Sequence, residues 1–433
     1  MSEVTPAFLL LLFSLSITIF SVKKENIIVP LAVAMCFLPA DISLNIGRLH
    51  FYAVRVIGLL ALLRIYSNLK NPNLCFNSID KLFISYNVLG TLIYFIASQD
   101  KSGAFIYKSG TLVDSIVIYI VLRHAIQSKD NVSKIIEIFC YCVLALLPFV
   151  IFEYFTAQNL FSILGRDGIS IRDGEIRAAC TFSHSILFGS FAAALVPILW
   201  GGYKHKQSIV RLICIVSCVF FVYSSSSSGP IIALAASIFF LIFFKWKHYS
   251  SKLAWFTLFA ATFIHIVRKM PIWHFLFVRI AIKSSSTGYH RYLLTEAAVK
   301  EFWNWWLLGY GDIGPKWHQT YWPWTYAHFT DVTNHYLLEG VRGGFFTMLL
   351  FMILCFKTIK VLGSYAISQP DQKDQWLWWG FTVMMITHCV SFLSVAYFGQ
   401  ITMLLYLTIA VAAYALDESR KQVPSERKRR FIK

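Results

Sequence analysis

Apolar residues arrive along this chain in repeated blocks of roughly 16–23, close to the ~20 residues a helix needs to cross a ~30 Å hydrocarbon layer. A soluble fold has no interior large enough for so many of them. Candidate spans fall at residues 7–22, 27–44, 51–66, 82–97, 112–124, 134–155, 180–200, 208–223, 229–244, 253–268, 335–356, 377–396 and 401–416, twelve or thirteen in all according to how the first hydrophobic pair is counted. Hydrophobic side chains make up 57% of the 433 residues and charged ones 14%, against about 45–50% and about 25% in soluble domains. The expected fold is therefore all-α, a polytopic membrane helical bundle. The first block follows Glu3 with no basic lead and no small-residue cleavage pattern, so it is expected to be a retained span.

An excess of 39 basic over 22 acidic side chains would raise the question of nucleic acid in a soluble protein. Here the basic residues sit in short loops and in a tail carrying Arg420, Lys421, Arg427, Lys428, Arg429, Arg430 and Lys433. Cytoplasmic loops facing anionic lipid have that bias, so membrane lipid is the expected partner and nucleic acid is not. With the tail in the cytoplasm and the side alternating at each span, Arg123, Lys129, Lys134, Lys204, Lys206, Arg211, Lys245, Lys247, Lys252, Lys357, Lys360 and Lys373 fall on the tail side. The opposite side receives Ser224 to Ser228, Tyr397 to Gln400, the 156–179 loop and one long stretch, 269–334. The organisation read from this pattern is spans through 1–268, a large outer loop over 269–334, further spans through 335–416, and a basic cytoplasmic tail over 417–433. Of the nine cysteines, Cys140, Cys142, Cys214, Cys218, Cys355 and Cys389 lie inside apolar blocks without paired metal spacing, and read as small hydrophobes.

Connections longer than about 12–15 residues tend to be functional or disordered. The 269–334 stretch has the composition of a folded cap: it carries Trp303, Trp305, Trp306, Trp317, Trp322 and Trp324, and the segment 290–302 (HRYLLTEAAVKEF) places apolar residues at helical spacing. The aromatics suit an interfacial belt. They also suit a sugar-stacking platform, for which Trp303, Trp322 and Trp324 are the candidates.

Charge beside a membrane is costly, about 2.5–3.5 kcal/mol for Arg at a helix centre, so clustered charges on one side of a bundle are functional candidates. Three clusters fall on the outer side: Arg172, Asp173, Glu175 and Arg177; Arg279, Lys283, His290 and Arg291; and Asp331, Asn334, His335, Glu339 and Arg342. His335, Glu339 and Arg342 stand at i, i+4 and i+7 and so share one helix face. No D-x-D pair and no H-E-x-x-H spacing accompanies them, so no metal or cofactor is expected. Paired guanidinium forks suit a diphosphate, whose oxygens they hold bidentately. At 4 Å and an effective dielectric near 20 each unit charge pair is worth about 4 kcal/mol. Arg177, Arg291 and Arg279 are the candidate diphosphate ligands, and His335, with Asp331 or Glu339 as the alternative, is the candidate to take a proton from an attacking hydroxyl. The alternatives are structural: Arg279 and Lys283 anchored to lipid phosphate, and His335 capping or packing its helix.

At these residues the sequence resembles the O-antigen ligase and O-antigen polymerase superfamily of bacterial cell-envelope glycosyltransferases. Four segments carry the resemblance: RAACTFSHSILFGS (177–190), SSSSSGPIIALAAS (224–237), TGYHRYLLTEAAVKEFWNWWLLGYGDIG (287–314) and DVTNHYLLEGVRGGFF (331–346). In ligases of that superfamily the last motif begins with His, then Asn, Ser or Gln, nine further residues and Gly. Here Asn334 and Gly344 fit that frame, and Thr333 holds the His slot, which turns the resemblance toward the polymerase branch.

The resemblance implies a GT-C-like, metal-independent glycosyltransferase of the bacterial inner membrane with one large extracytoplasmic loop. Its donor would be a glycan on undecaprenyl diphosphate, held by Arg177 and Arg291, and the acceptor another glycan or glycolipid at the periplasmic face. It would serve O-antigen or exopolysaccharide synthesis, with polysaccharide-assembly proteins as further partners. A ligase passing finished glycan to a lipid A core is the alternative within the family. A transporter of lipid-linked sugar is the alternative from another class, and matched half-repeats or a polar cavity open to both sides would favour it.

Overall fold

The computed structural model describes residues 4–67, 75–166, 170–172, 174–267, 271–274, 277, 285–321 and 330–430. Every apolar block contains a helix: α1 (Pro6–Ser21), α2 (Ile28–Phe37), α3 (Ala53–Tyr66), α4 (Ser78–Ala97), α5 (Lys101–Ala125), α6 (Lys129–Thr156), α7 (Ser185–His205), α8 (Ile209–Ser224), α9 (Ser228–Ile242) and α10 (Ser250–Val267). The short pieces α11 (Ile272–His274), α12 (Ser285–Lys300), α13 (Phe302–Trp305) and α14 (Trp317–Tyr321) follow. The chain then forms α15 (His335–Ser368), α16 (Gln372–Ser391) and α17 (Gln400–Arg430). The protein is an all-helical membrane bundle, and seven of the described helices are long and apolar enough to cross a bilayer.

The block at 27–44 departs from the expectation of a full span. Its helix is ten residues long, about 15 Å at 1.5 Å per residue, and the chain beyond it is extended and enters the hairpin β1 (Ser43–Ile46) and β2 (Leu49–Tyr52). An unbonded carbonyl in hydrocarbon is costly, and other helices answer it. Thr181 Oγ1 donates to Cys36 O at 2.8 Å, and Gln400 Nε2 donates to Leu38 O at 2.9 Å and to Thr181 O at 2.8 Å. The block at 112–124 departs the other way: Asp100 caps Gly103 N at 3.0 Å and starts α5 eleven residues earlier, at Lys101.

α7 is the centre of the bundle, packed by α16, α8, α9 and α6. Small residues make that position available, as in most close membrane helix pairs. Gly201 of α7 and Gly380 of α16 cross with their Cα atoms close enough that a Cβ on Gly201 would meet Trp376 O at 2.6 Å and one on Gly380 would meet Pro197 O at 2.7 Å.

The two ends of the bundle differ in character. At one end, Asp374 at the start of α16 pairs with Lys129 of α6 at 2.5 Å and His205 of α7 at 3.3 Å, and Phe244 stacks on Trp376 with Lys247 over it. At the other end lies the cap. Leu294, Ala297, Ala298, Trp305, Trp317, Val332 and Val341 form a small core of their own. Backbone bonds from Tyr310 N to Val341 O (2.6 Å) and from Phe345 N to Trp306 O (2.7 Å) fix the cap on α15. That second bond sits where α15 kinks at Gly344, whose φ of +78° and close approach to Leu307 O leave no room for a Cβ.

Because overpacking a close contact costs about 1–3 kcal/mol, Gly201→Ala and Gly380→Ala are each expected to lower thermal stability in detergent. A Cα crossing less close than described would leave both melting temperatures unchanged. Gly344→Ala is expected to destabilise by at least the ~1–3 kcal/mol of a strained backbone and to loosen the cap, seen as faster proteolysis within 285–321.

Candidate functional site

A buried carboxylate sets up the site. Glu153, near the end of α6 and 2% exposed, accepts from Ala179 N at 3.0 Å and from Cys180 N at 2.9 Å, and Asn159 Nδ2 donates to Cys180 O at 2.8 Å. These bonds hold the residues before α7 in an irregular path that includes Cys180 at φ +51°. Just upstream, a second hairpin pairs β3 (Ser170–Arg172) with β4 (Glu175–Arg177), turning at Gly174 with φ +78° and setting Arg172 opposite Glu175. Ala178 N bonds Ser224 O at 3.0 Å, which ties the hairpin to the end of α8.

That hairpin delivers Arg172, Glu175 and Arg177 to one wall of a hollow of about 850 Å³ at the cap end. The serine run forms a second wall: Ser224 ends α8, Ser228 opens α9, and Ser226 between them turns at φ +46°. Arg177 is buried and donates from Nη2 to Ser227 Oγ at 2.6 Å, while Ser226 Oγ donates to Glu175. From the cap, α12 contributes His290 and Arg291; from the chain before α15 come Asp331 and Thr333; and His184 stands at the mouth of α7.

Three guanidinium groups against two carboxylates leave this hollow with a surplus of positive charge. Burial, then the like charge of Arg172, lowers the Arg291 guanidinium to about 10, so it stays protonated at neutral pH. Burial, then Arg177, lowers the His184 imidazole, and burial likewise lowers His290, which lies against the backbone of Asp331. His184 Nδ1 accepts from Ile186 N at 3.2 Å, so the neutral ring carries its proton on Nε2 and can donate it to an anion. Guanidinium forks and imidazole donors have the chemistry to hydrogen-bond a compact polyanion.

A second cavity, of about 830 Å³, adjoins the first and shares Asp331, Ala396 and Phe398 with it. It runs down between α4, α5, α15 and α17. Comparison of the sequence with protein-family models and with curated proteins finds no match.

The structure brings together Arg177, Arg291 and Asp331, three candidates from separate stretches. It does not bring His335 and Glu339 to the two arginines, though both line the second cavity together with Asp331. These two do share a helix face with Arg342, as their spacing implies, but that face lines the second cavity. His335 is 7% exposed, its ring sits among Phe351, Phe392 and Tyr397, and its Nδ1 accepts from Tyr397 N at 3.3 Å. The ring packs the end of α16 against α15 and stands on the wall of the second cavity rather than in the arginine hollow. Trp303 is 77% exposed and sits edge-on to Trp306, whose own ring lies beside Phe346 of α15. It lines neither cavity and has the position of a belt residue rather than of a sugar platform. Arg279, Trp322 and Trp324 lie outside the described residues. Among the described residues no three His, Cys, Asp or Glu side chains cluster as metal ligands.

His184 is the participant that sequence reasoning missed, whereas the serine run at 224–228 was expected as a tight turn at a cavity rim, and its Ser226, Ser227 and Ser228 line this hollow. The signal for His184 was present: a polar side chain directly before the run Ser185–Ile186–Leu187 is a helix N-cap position, seven residues beyond Arg177.

Imidazoles whose folded pKa lies below the usual 6.5 bind fewer protons in the native protein than in the unfolded chain. The stability they contribute is therefore present above pH 6.5 and lost as pH falls through their folded values. The melting temperature is expected to drop as pH falls below the ordinary imidazole range, and the double variant His184→Gln, His290→Gln to show a flatter profile. Parallel profiles would place the acid sensitivity elsewhere.

Proposed function

We propose that this protein is a membrane glycosyltransferase that polymerises glycan repeat units carried on a polyprenyl (undecaprenyl) diphosphate. The observation that carries the reading is the convergence of Arg172, Arg177 and Arg291 on one hollow with a carboxylate, Asp331, at its edge. The sequence resemblance to the O-antigen polymerase and ligase superfamily supports it through Arg177 and Arg291. Thr333 supports the polymerase branch: it holds the position where the ligases carry His, and it lines this hollow.

The hollow opens at the cap end, away from the Lys-rich loops. Under the bias of basic loops toward the cytoplasm, it faces the extracytoplasmic side of a bacterial inner membrane, and the fold is of the GT-C kind. Neither cavity is lined by a residue of the Lys-rich loops at 129–134, 204–211, 245–252 and 357–373, which supports transfer chemistry over transport.

In the reaction, an acceptor hydroxyl gives its proton to a carboxylate oxygen of Asp331 as its oxygen bonds the anomeric carbon of the donor sugar. The bond from that carbon to the phosphate oxygen breaks, and its electron pair leaves on the diphosphate. Arg172, Arg177 and Arg291 hold the charge that develops there, and preorganised donors of this kind act most strongly where water is excluded. The two imidazoles donate further hydrogen bonds to the departing group. Lysine would supply charge without the fork.

Arg177→Lys and Arg291→Lys are each expected to lower chain extension by about 10²-fold, the scale of losing one transition-state donor, and Asp331→Asn to lower it at least as much. The measurement is the length ladder of lipid-linked glycan in a deletion strain carrying each variant. Loss of long chains with single repeats retained is expected for the deletion itself. Long chains accumulating on the lipid carrier would make the protein a ligase, and normal ladders in both lysine variants would end the diphosphate assignment.

A further inference from the structure

The two cavities share a wall made of irregular backbone, the 392–399 connection from α16 to α17. Ser394, Val395, Ala396 and Phe398 line the arginine hollow, and Ala396, Tyr397, Phe398 and Gly399 line the second cavity. The ends of this connection are fixed. Ser394 N and Val395 N donate to Ser391 O at 2.9 and 3.0 Å, Gly229 of α9 leaves no room for a Cβ beside Ser394, and Gly399 turns at φ +67° against Ala40. Between those ends, among the described residues, the backbone of residues 396–398 makes one hydrogen bond, from Tyr397 N to His335 Nδ1 at 3.3 Å. The Tyr397 hydroxyl stands 3.0 Å from His388 Nδ1 behind it. A ring nitrogen of His335 therefore sets where the middle of the wall stands.

His335 opens α15, just after Asp331 and Thr333, both of which line the hollow. Its own N–H donates to Phe392 O at 2.8 Å, so this one residue bonds the connection twice, once from its backbone and once through its ring. Phe392, Phe351 and Tyr397 surround the ring at centroid distances of 4.9, 5.1 and 5.8 Å and hold its orientation. Accepting from Tyr397 N requires a bare Nδ1, which leaves the proton of the neutral ring on Nε2. A carbon ring of similar shape would pack there and accept nothing. The amide of buried Tyr397 would then be left without a partner, the costly case for a hydrogen-bonding group.

We propose that His335 is a positioning residue: its Nδ1 fixes the 392–399 connection against the start of α15, and so sets the gap between that wall and Asp331 where the two cavities meet. That the gap serves glycan transfer rests on the glycosyltransferase reading; the tie itself rests on the hydrogen bond. The arginines are held from elsewhere, Arg172 and Arg177 on the hairpin that Ala178 N ties to Ser224 O, and Arg291 on α12 of the cap. Losing the tie therefore disturbs alignment at Asp331 and leaves the affinity for a diphosphate in place.

Three substitutions separate the ring from its nitrogen. His335→Phe keeps the packing and removes the acceptor, and His335→Gln, whose side-chain oxygen reaches the Nε2 position instead, removes it independently. His335→Asn loses the packing and keeps an acceptor, its Oδ1, where Nδ1 stands. With the full chain in lipid nanodiscs, hydrogen exchange of the peptide covering 393–399 is followed by mass spectrometry. Transfer between lipid-linked repeat units extracted from the producing cells and the affinity for farnesyl diphosphate are measured on the same samples. His335→Phe and His335→Gln are expected to speed exchange about tenfold and to lower kcat by about 10²-fold, the scale of an ~1 Å misplacement. KM and the farnesyl diphosphate affinity are expected to stay within about twofold of wild type. His335→Asn is expected to melt at a lower temperature yet to keep exchange and kcat within about threefold of wild type. Wild-type exchange in both His335→Phe and His335→Gln, an unchanged kcat in both, or an equal loss of kcat in His335→Asn overturns the proposal. Faster exchange in His335→Phe beside a wild-type protein that transfers no glycan leaves the tie standing and removes the glycosyltransferase reading instead.

Discussion

Hydrocarbon offers no hydrogen bonds, so each place where this bundle leaves regular helix must be answered by a side chain from elsewhere in the chain. Glu153 answers for Ala179 and Cys180, Gln400 for Leu38 and Thr181, and Thr181 for Cys36. These three side chains come from α6, α17 and the segment before α7, and they meet at the same depth near the cap end. The irregular backbone they stabilise is what carries the hairpin with Arg172 and Arg177. A guanidinium pair can be aimed at a common point only if the loop bearing it does not wander, and here the loop is fixed by buried bonds rather than by its own short strands. The site is thus a consequence of how the bundle satisfies its broken helices.

Charge at the opposite end is handled differently. Arg123 bonds Asp80 at 3.0 Å and also Asp417, Tyr119 donates to Asp80 at 2.6 Å, and Asn77 donates to Ala413 O at 2.8 Å and to Asp417 at 3.0 Å. Here two carboxylates enclose one guanidinium, with amide and phenol groups completing the set, and the result ties α4, α5 and α17 together. Desolvation consumes most of what such a buried network gains in attraction, so its role is to fix the register of three helices rather than to add stability. The cap-end hollow has the reverse composition, with cations in excess and space between them.

The residues that were legible in the sequence are those whose cost alone betrays them. Arginines in a chain this apolar stand out, and Arg177, Arg291 and Asp331 were found that way. Helical periodicity correctly grouped His335, Glu339 and Arg342 on one face. Periodicity does not say which neighbour that face meets, and the meeting of α15 with α4 and α17 sends it into the second cavity. The same limit applies to Trp303: composition allowed belt or platform, and only the folded cap leaves its ring exposed, edge-on to Trp306. The short α2 was hidden because an extended apolar segment reads like a helical one when its length is all that is visible. His184 was hidden because a cap residue and a site residue have the same sequence appearance, and here one side chain is both.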